Sequence, residues 1–211
     1  MFLTFFQQNP SAAVAFLLGL VIGITLHEAA HATSAYLLGD DTAYRDGRVT
    51  LNPASHLDVL GSLMLLMAGF GWGRPTPVMP SKLSGGVFGP VAVALAGPIS
   101  NLLVVAMCAG LFLLPVFQSG YLAILVVMVA FTNALLFVFN LIPIPPLDGA
   151  KVIFPFLPRA LDGFVDFMNQ YGPFILLGLI LVSFVTNLPI FSILLAPVRP
   201  ILTFFGLPLF L

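Results

Sequence analysis

The chain has 211 residues, of which 60% are apolar and only 7% are charged. Soluble domains carry roughly a quarter charged residues, so this composition indicates a protein whose main solvent is lipid. The net charge is −1 and the seven Lys and Arg residues form no dense run, which excludes the basic surface of a nucleic-acid-binding protein. We therefore expect a single membrane domain over residues 1–211, embedded in a lipid bilayer, with no nucleic-acid partner.

Apolar stretches long enough to cross a bilayer recur along the chain. The first is predicted over residues 11–38, opened by Asn9-Pro10 and closed by Gly39. No Lys or Arg precedes it, unlike in a secretory signal, so we expect this helix to remain in the mature protein. Further spans are predicted over residues 86–114, 121–142 and 171–195. The predicted fold class is an all-α, polytopic membrane bundle of about four to five spans.

The segment between the first two spans, residues 42–84, is expected to lie at the membrane interface. Residues 42–57 are polar and hold Asp46-Gly47 between short β-favouring runs, which predicts a small β-hairpin. Residues 59–70 are apolar but short for a span, so a re-entrant or interfacial helix is expected there. Residues 201–211 form a short apolar tail whose placement the pattern leaves open.

Three ionisable side chains lie close together near the end of the first predicted span: His27, Glu28 and His31. A separation of four residues places both imidazoles on one face of a helix, where two nitrogens can bind one metal ion. Glu28 would then be the general base that takes a proton from water. The alternative is a pair of buried histidines satisfied by neighbouring groups. Because an ionisable group inside a bilayer costs roughly 2.5–3.5 kcal/mol, and no Lys or Arg lies in a predicted span, a bound cation is favoured.

A third ligand is needed, and Asp148 is the strongest candidate. It follows the span at 121–142 and precedes Gly149, which permits close backbone approach, although an Asp-Gly pair by itself commonly marks only a turn. If residues 59–70 do not cross the membrane, most of the basic residues fall on one side, which the positive-inside rule makes cytoplasmic. The amino terminus is then outside, and the metal site is recessed from the cytoplasmic face.

These motifs resemble those of the site-2 protease family of intramembrane zinc metalloproteases, in its compact form without PDZ or CBS domains. The matching residues are His27-Glu28-Ala29-Ala30-His31, then Gly97-Pro98 with Asn101, then the segment from Asn140 through Pro143 and Pro145 to Asp148-Gly149. The resemblance covers most of residues 21–151. It implies one Zn²⁺ per chain, held by His27, His31 and Asp148, with Glu28 as the catalytic glutamate.

Roles are also expected for three further polar residues, for Asn140 from the resemblance and for His56 from its position outside the predicted spans. Asn140 is expected to stabilise charge at the scissile carbonyl, the alternative being an asparagine that bonds to backbone groups at its helix end. Asn101 is expected to serve packing or substrate positioning. His56 is expected to lie at the surface or to fix a loop, and not to bind metal.

The implied activity is hydrolysis of peptide bonds in or near the transmembrane segments of single-span proteins, by a multi-pass protein of the cell membrane. Two other functions stay open. A membrane zinc enzyme of another kind would act on lipid-linked or small substrates. A transporter or metal-binding protein predicts ligand pairs spread along a pathway, and it leaves Glu28 without a task. No pattern in the sequence specifies an oligomeric state.

Overall fold

A computed structural model describes residues 8–61, 63, 72–186 and 193–208 of the chain. These residues form seven α-helices: α1 (Pro10–Leu37), α2 (Thr42–Arg45), α3 (Phe88–Phe112), α4 (Gly120–Asn140), α5 (Asp148–Ile153), α6 (Asp162–Thr186) and α7 (Val198–Phe204). Short 3-10 turns lie at Pro53–Ser55, Pro80–Lys82, Pro115–Phe117, Phe154–Phe156 and Arg159–Leu161. The described residues hold no sheet, and their one β-type pairing is an isolated antiparallel bridge between Leu57 and Gly73.

Among the described residues, four helices are long and apolar enough to cross a membrane: α1, α3, α4 and α6, the last counted from Arg159 to Ser183. The predicted all-α polytopic fold is confirmed, and the first three spans begin and end within two residues of their predicted limits. The fourth begins at Asp162, earlier than the predicted residue 171. Helical hydrogen bonding does not require apolar side chains, so the helix extends through a polar first part that a search for apolar residues does not detect.

Helices α1 and α3 pack closely and run antiparallel. His31 of α1 lies beside Val93 near the start of α3, whereas His27, one turn earlier in α1, lies beside Asn101, two turns later in α3. Because the two helices are antiparallel, α1 ends and α3 begins at the same end of the bundle. The segment that connects them must therefore leave and return at that end. Ser84, just before α3, donates its N–H to the carbonyl of Leu38 at 2.8 Å, so the connection does return there.

Helices α1 and α4 run parallel and pack through small residues of α1. A Cβ atom at Gly19 would lie 3.0 Å from Val129 Cα, and one at Gly23 would lie 2.9 Å from Asn133 Oδ1. Two glycines four residues apart give α1 a flat surface against which α4 packs. Helix α3 packs against both of them, so the three helices form the centre of the bundle.

The predicted β-hairpin over residues 42–57 is wrong. Thr42–Arg45 forms a helical turn and Pro53–Ser55 a 3-10 turn. Local side-chain bonds satisfy the backbone instead of a strand ladder: Asp40 accepts from the Thr42 N–H, and Asn52 accepts from the Ala54 N–H. The re-entrant or interfacial helix expected at residues 59–70 lies outside the described residues, except for 59–61 and 63.

The carboxyl-terminal segment completes the core. Val198 and Leu202 of α7, with Leu207 beyond it, are buried in one cluster with valines of α3 and α4. The described part of the tail predicted at 201–211 is therefore packed. On another side, α6 packs Leu176 against Ile142 and so contacts the segment that leads to Asp148.

Candidate metal centre and active site

Three side chains from distant parts of the sequence meet between α1 and α5. His27 and His31 project from α1, Asp148 is the first residue of α5, and all three are buried. The Nε2 atoms of the histidines lie 3.0 Å apart. Asp148 Oδ2 lies 3.0 Å from His27 Nε2 and 3.1 Å from His31 Nε2. The structure therefore brings the three predicted ligands to one point.

Hydrogen bonds on the far side of each ring fix which ring nitrogen carries the proton. His27 Nδ1 lies 2.8 Å from Asn101 Oδ1, and His31 Nδ1 lies 2.7 Å from the carbonyl oxygen of Val93. Both oxygens can only accept a hydrogen bond, so both Nδ1 atoms are protonated and donate. In the neutral form of each imidazole, Nε2 then carries the lone pair, and in both rings this atom faces Asp148.

Asn101 presents its oxygen to His27 because its amide group is fixed by two other bonds. Its Nδ2 donates to the carbonyl of Gly23 at 3.1 Å and to Asn133 Oδ1 at 3.0 Å. Asn133 Nδ2 in turn donates to two backbone carbonyls of α1 and α4, at 3.3 and 2.9 Å. Because a carbonyl only accepts, the backbone sets the orientation of both amides, and through them the tautomer of His27.

The donor set fits zinc. Two imidazole lone pairs and a carboxylate oxygen within 3.1 Å of one another repel unless a cation lies among them. Zn²⁺ binds such nitrogens and oxygens at about 2.0–2.2 Å, which places tetrahedral ligands about 3.4 Å apart, so a shift of a few tenths of an ångström admits the ion. Three protein ligands are typical of catalytic zinc, because a fourth position stays open for water or substrate.

Gly97 of α3 makes room for both imidazole rings. A Cβ atom at this position would lie 2.4 Å from His31 Nε2 and 2.7 Å from His27 Cε1. Real Cβ atoms essentially never approach another atom closer than 3.0 Å. The glycine of the Gly97-Pro98 pair is therefore required by the close approach of α3 to the two histidines.

The segment after α4 orients Asp148. Prolines 143, 145 and 146 cannot continue the helix, and the chain turns back onto its end. A Cβ atom at Gly149 would lie 2.2 Å from the carbonyl oxygen of Leu141, so only glycine fits, as expected from the sequence. Lys151 Nζ donates to Asp148 Oδ1 at 3.0 Å, which leaves Oδ2 facing the histidines. The Lys151 side chain is 61% exposed, so solvent screens most of its charge.

Glu28 is half-buried, lies next to His27 in the chain, and does not belong to the three-residue group that could hold a metal ion. Its Oε2 accepts hydrogen bonds from the N–H of Thr76 at 2.9 Å and from the Thr76 hydroxyl at 2.7 Å. A bound cation was the partner expected for this carboxylate from the sequence. The structure shows a second partner for Glu28, Thr76, which lies in the loop between α1 and α3.

Comparisons with known proteins agree with this geometry. A model of "Peptidase family M50" matches residues 114–182. "Putative zinc metalloprotease YwhC" of Bacillus subtilis is 39% identical over 178 residues, which are 80% of this chain and 79% of that protein. The chain belongs to peptidase family M50. "Putative zinc metalloprotease Rip2" of Mycolicibacterium smegmatis is 30% identical over 179 residues, which are 77% of this chain and 65% of that protein. No solved structure matches the chain significantly.

Membership of family M50 confirms the resemblance to site-2 proteases drawn from the motifs. This M50 peptidase is a zinc metalloprotease with several apolar helices of membrane-spanning length. The predicted zinc cofactor is confirmed at the level of the family, and His27, His31 and Asp148 form a group that could hold the ion.

The other predicted polar residues have different surroundings. Asn140 lies at the end of α4, where its Nδ2 donates to the carbonyl of Leu136 at 2.9 Å, as in the helix-end alternative. Its catalytic role stays a prediction. Asn101 accepts a hydrogen bond from the predicted ligand His27, which is a more specific contact than packing. His56 is fully buried and bonds to the carbonyl of Thr50 at 2.8 Å, so it fixes a loop.

Sequence analysis missed three residues that contact this M50 site: Asn133, Lys151 and Thr76. Asn133 carried a signal, because an amide inside an apolar span is a common mark of function or packing. Lys151 follows Asp148 by three residues, which is a neighbouring position on a helix. Thr76 carried no signal, since threonine in a proline-rich loop predicts nothing beyond an extended chain.

Proposed function

We propose that this M50 peptidase hydrolyses peptide bonds in or near the transmembrane segments of single-span membrane proteins. The observation that carries the proposal is the meeting of His27, His31 and Asp148 inside a bundle of membrane-length helices. His27 lies ten residues before the end of α1 at Leu37, which is about 15 Å along the helix. Zinc at this depth is within reach of a polypeptide that approaches through the bilayer.

Each of a few groups has a separate role in the proposed reaction. When bound, Zn²⁺ supplies Lewis-acid chemistry that polarises a carbonyl and lowers the pKa of a water molecule. His27, His31 and Asp148 hold the ion. Glu28 acts as the general base, which takes a proton from the attacking water and passes it to the nitrogen of the leaving amine.

The substrate must change its conformation to react. A transmembrane helix keeps its carbonyl groups in internal hydrogen bonds, so none can approach the site until the helix unwinds locally. Helix-breaking residues in the substrate near the cut should therefore raise the rate of cleavage.

We also propose that the protein lies in the cell membrane with the site nearer the cytoplasmic face and the amino terminus outside. Leu38 and Ser84 meet at one end of the bundle, and the segment between them carries four of the seven basic residues. Lys151 adds to this charge beside the ligands. The positive-inside rule assigns that end to the cytoplasm. The four residues are Arg45, Arg48, Arg74 and Lys82.

Asn140 is proposed to stabilise the developing oxyanion. For this its Nδ2 must exchange the Leu136 carbonyl for the substrate oxygen. Asn140→Ala should lower kcat roughly a hundredfold with zinc content unchanged, as removal of one oxyanion donor does elsewhere. An unchanged kcat would leave Asn140 as a helix-end residue.

The decisive experiment combines zinc analysis with a cleavage assay. Purified protein in lipid vesicles is incubated with a panel of single-span proteins, and zinc is measured on the same samples. Wild type should hold one zinc and cut at least one substrate near its membrane segment. Glu28→Gln should keep zinc and lose cleavage, whereas Asp148→Asn should lose both. Asp166→Asn, at an exposed position of α6, is the matched control.

Other results would contradict the proposal. Hydrolysis of a lipid-linked substrate with no cut in any single-span protein would favour a membrane zinc enzyme of another kind. Full activity in Glu28→Gln would exclude Glu28 as the base. Full zinc occupancy in Asp148→Asn would remove Asp148 from the ligand set.

A further inference from the structure

Thr76, in the loop between α1 and α3, donates hydrogen bonds to the side chain of Glu28. It makes two donations to the same carboxylate oxygen, from its N–H at 2.9 Å and from its hydroxyl at 2.7 Å. The hydroxyl also lies 3.1 Å from the main-chain carbonyl of Glu28. Since a hydroxyl has one proton, the shorter contact to Oε2 is the main donation. Hydrogen bonds to a charged carboxylate are about twice as strong as neutral ones.

The sequence around Thr76 makes this contact rigid. Pro75 and Pro77 flank it, so both neighbours have φ fixed near −65° and neither has an N–H. A residue that precedes proline is held in the extended region, which applies to Thr76 and to Arg74. The Thr76 amide is thus the single backbone donor of residues 75–77, and it points at the carboxylate with little freedom to turn away.

The loop that carries Thr76 is itself held by buried groups. The guanidinium of Arg48, only 1% exposed, donates to the carbonyls of Ser55 and Arg74. The Arg74 N–H donates to the carbonyl of His56 at 2.7 Å. These bonds attach residues 48–56 to Arg74, two residues before Thr76.

A second attachment lies on the other side of Thr76. Asp40, fully buried after the end of α1, accepts from the N–H of Met79 at 2.6 Å and from the N–H of Thr42 at 3.1 Å. Burial works to raise the pKa of Asp40, but these bonds and that of the Thr42 hydroxyl, with the nearby Lys82, hold it below its usual value. The carboxylate therefore stays charged and fixes the loop beside α1.

We propose that Thr76 is a positioning residue for the general base, an inference that rests on the proposed function of Glu28. Both donors of Thr76 engage Oε2, which makes Oε1 the more basic oxygen and assigns proton transfer to it. The water oxygen forms a bond to the scissile carbonyl carbon while one of its O–H bonds breaks and the proton passes to Oε1. The same proton then moves to the amide nitrogen as the C–N bond breaks and the amine leaves. The loop holds the carboxylate beside the ligand group and separate from it.

Kinetics on the full zinc-loaded protein in vesicles test the role. Thr76→Val removes the hydroxyl donor and keeps the side-chain shape and the N–H donor. We expect kcat to fall roughly tenfold to a hundredfold with KM within about twofold, because a misplaced base slows the chemical step without weakening substrate binding. Thr76→Ser, which keeps the donor, should recover most of the lost kcat. Thr203→Val, which removes an exposed hydroxyl on α7, is the control and should leave kcat unchanged.

Amide exchange tests the contact without relying on activity or on any variant of Thr76. Between Arg74 and Val78 the Thr76 amide is the only one that can exchange, since both prolines lack an N–H. Glu28→Gln retains a side-chain oxygen as acceptor and should preserve protection of this amide. Glu28→Ala removes the acceptor and should speed its exchange at least tenfold.

The outcomes separate the two claims. If Glu28→Gln keeps full activity, the proposed base is wrong. If Glu28→Gln is inactive but Thr76→Val matches wild type in kcat, only the positioning role is overturned. Equal protection of the Thr76 amide in Glu28→Gln and Glu28→Ala would likewise overturn it. A Thr76→Val protein with reduced zinc content or with a raised KM and unchanged kcat would show a structural role and would also contradict the proposal.

Discussion

Replacement of Gly97 by alanine should destroy the metal site while leaving the helix intact. The added Cβ would lie 2.4 Å from His31 Nε2, about 1 Å closer than the 3.4 Å at which ordinary contact begins. The rings cannot turn away freely, because the Nδ1 atom of each is bonded to Asn101 or to the Val93 carbonyl. The Cβ therefore displaces Nε2 itself, which is the atom expected to bind zinc.

The size of the effect follows from the tolerance of zinc geometry. Ligand distances in zinc sites vary by only about 0.2 Å, so a displacement several times larger removes at least one ligand from the ion. We expect zinc affinity to fall at least a hundredfold, which corresponds to about 2.8 kcal/mol. Proteolysis should fall with it.

Gly110→Ala is a matched control in the same helix. Apart from its chain neighbours and the backbone of its own helix, no atom of the described residues lies within 4 Å of a Cβ built at Gly110, so this substitution adds the same methyl group without a clash. Both proteins are purified, their zinc content is measured, and zinc is titrated away with a chelator of known affinity. Gly110→Ala should bind zinc as wild type does. Zinc affinity within threefold of wild type in Gly97→Ala would refute the steric reasoning.

Three further predictions concern the surroundings of the site. Asn101→Leu removes the acceptor for His27 Nδ1 and should weaken zinc binding roughly tenfold to a hundredfold in the same chelator titration, as loss of such outer contacts does elsewhere. Asp40→Asn should lower the unfolding free energy by about 1–3 kcal/mol at neutral pH. Because the folded-state pKa of Asp40 is lowered, its contribution is present above about pH 4 and disappears as the pH falls further, so melting curves of the two proteins should converge in acid. Chelation of zinc should lower the melting temperature of wild type. An ion that binds only the folded state stabilises it by about 2.7 kcal/mol when its free concentration is a hundred times Kd. Asp148→Asn should melt at the same temperature with and without chelator.

The sequence by itself determined the features that depend on neighbours along the chain. Apolar length set the spans, and helical spacing put His27 and His31 on one face of α1. Three prolines ended α4 and placed Asp148 just beyond it. The hairpin prediction failed because β-favouring residues indicate a strand only where a partner strand exists. Here Asp40 and Asn52 satisfied the backbone locally.

Only the tertiary structure decided what surrounds the ligands. Asn101 meets a histidine 74 positions away, and Thr76 meets Glu28 across 48 positions. No periodic pattern in the sequence indicates such contacts, because each depends on how the helices pack and on where the loop between α1 and α3 lies against α1. A glycine in a span likewise reads only as a small residue until α3 is seen against the two rings. The sequence thus contains the predicted ligands of the ion, while packing in three dimensions determines how their protons and orientations are fixed.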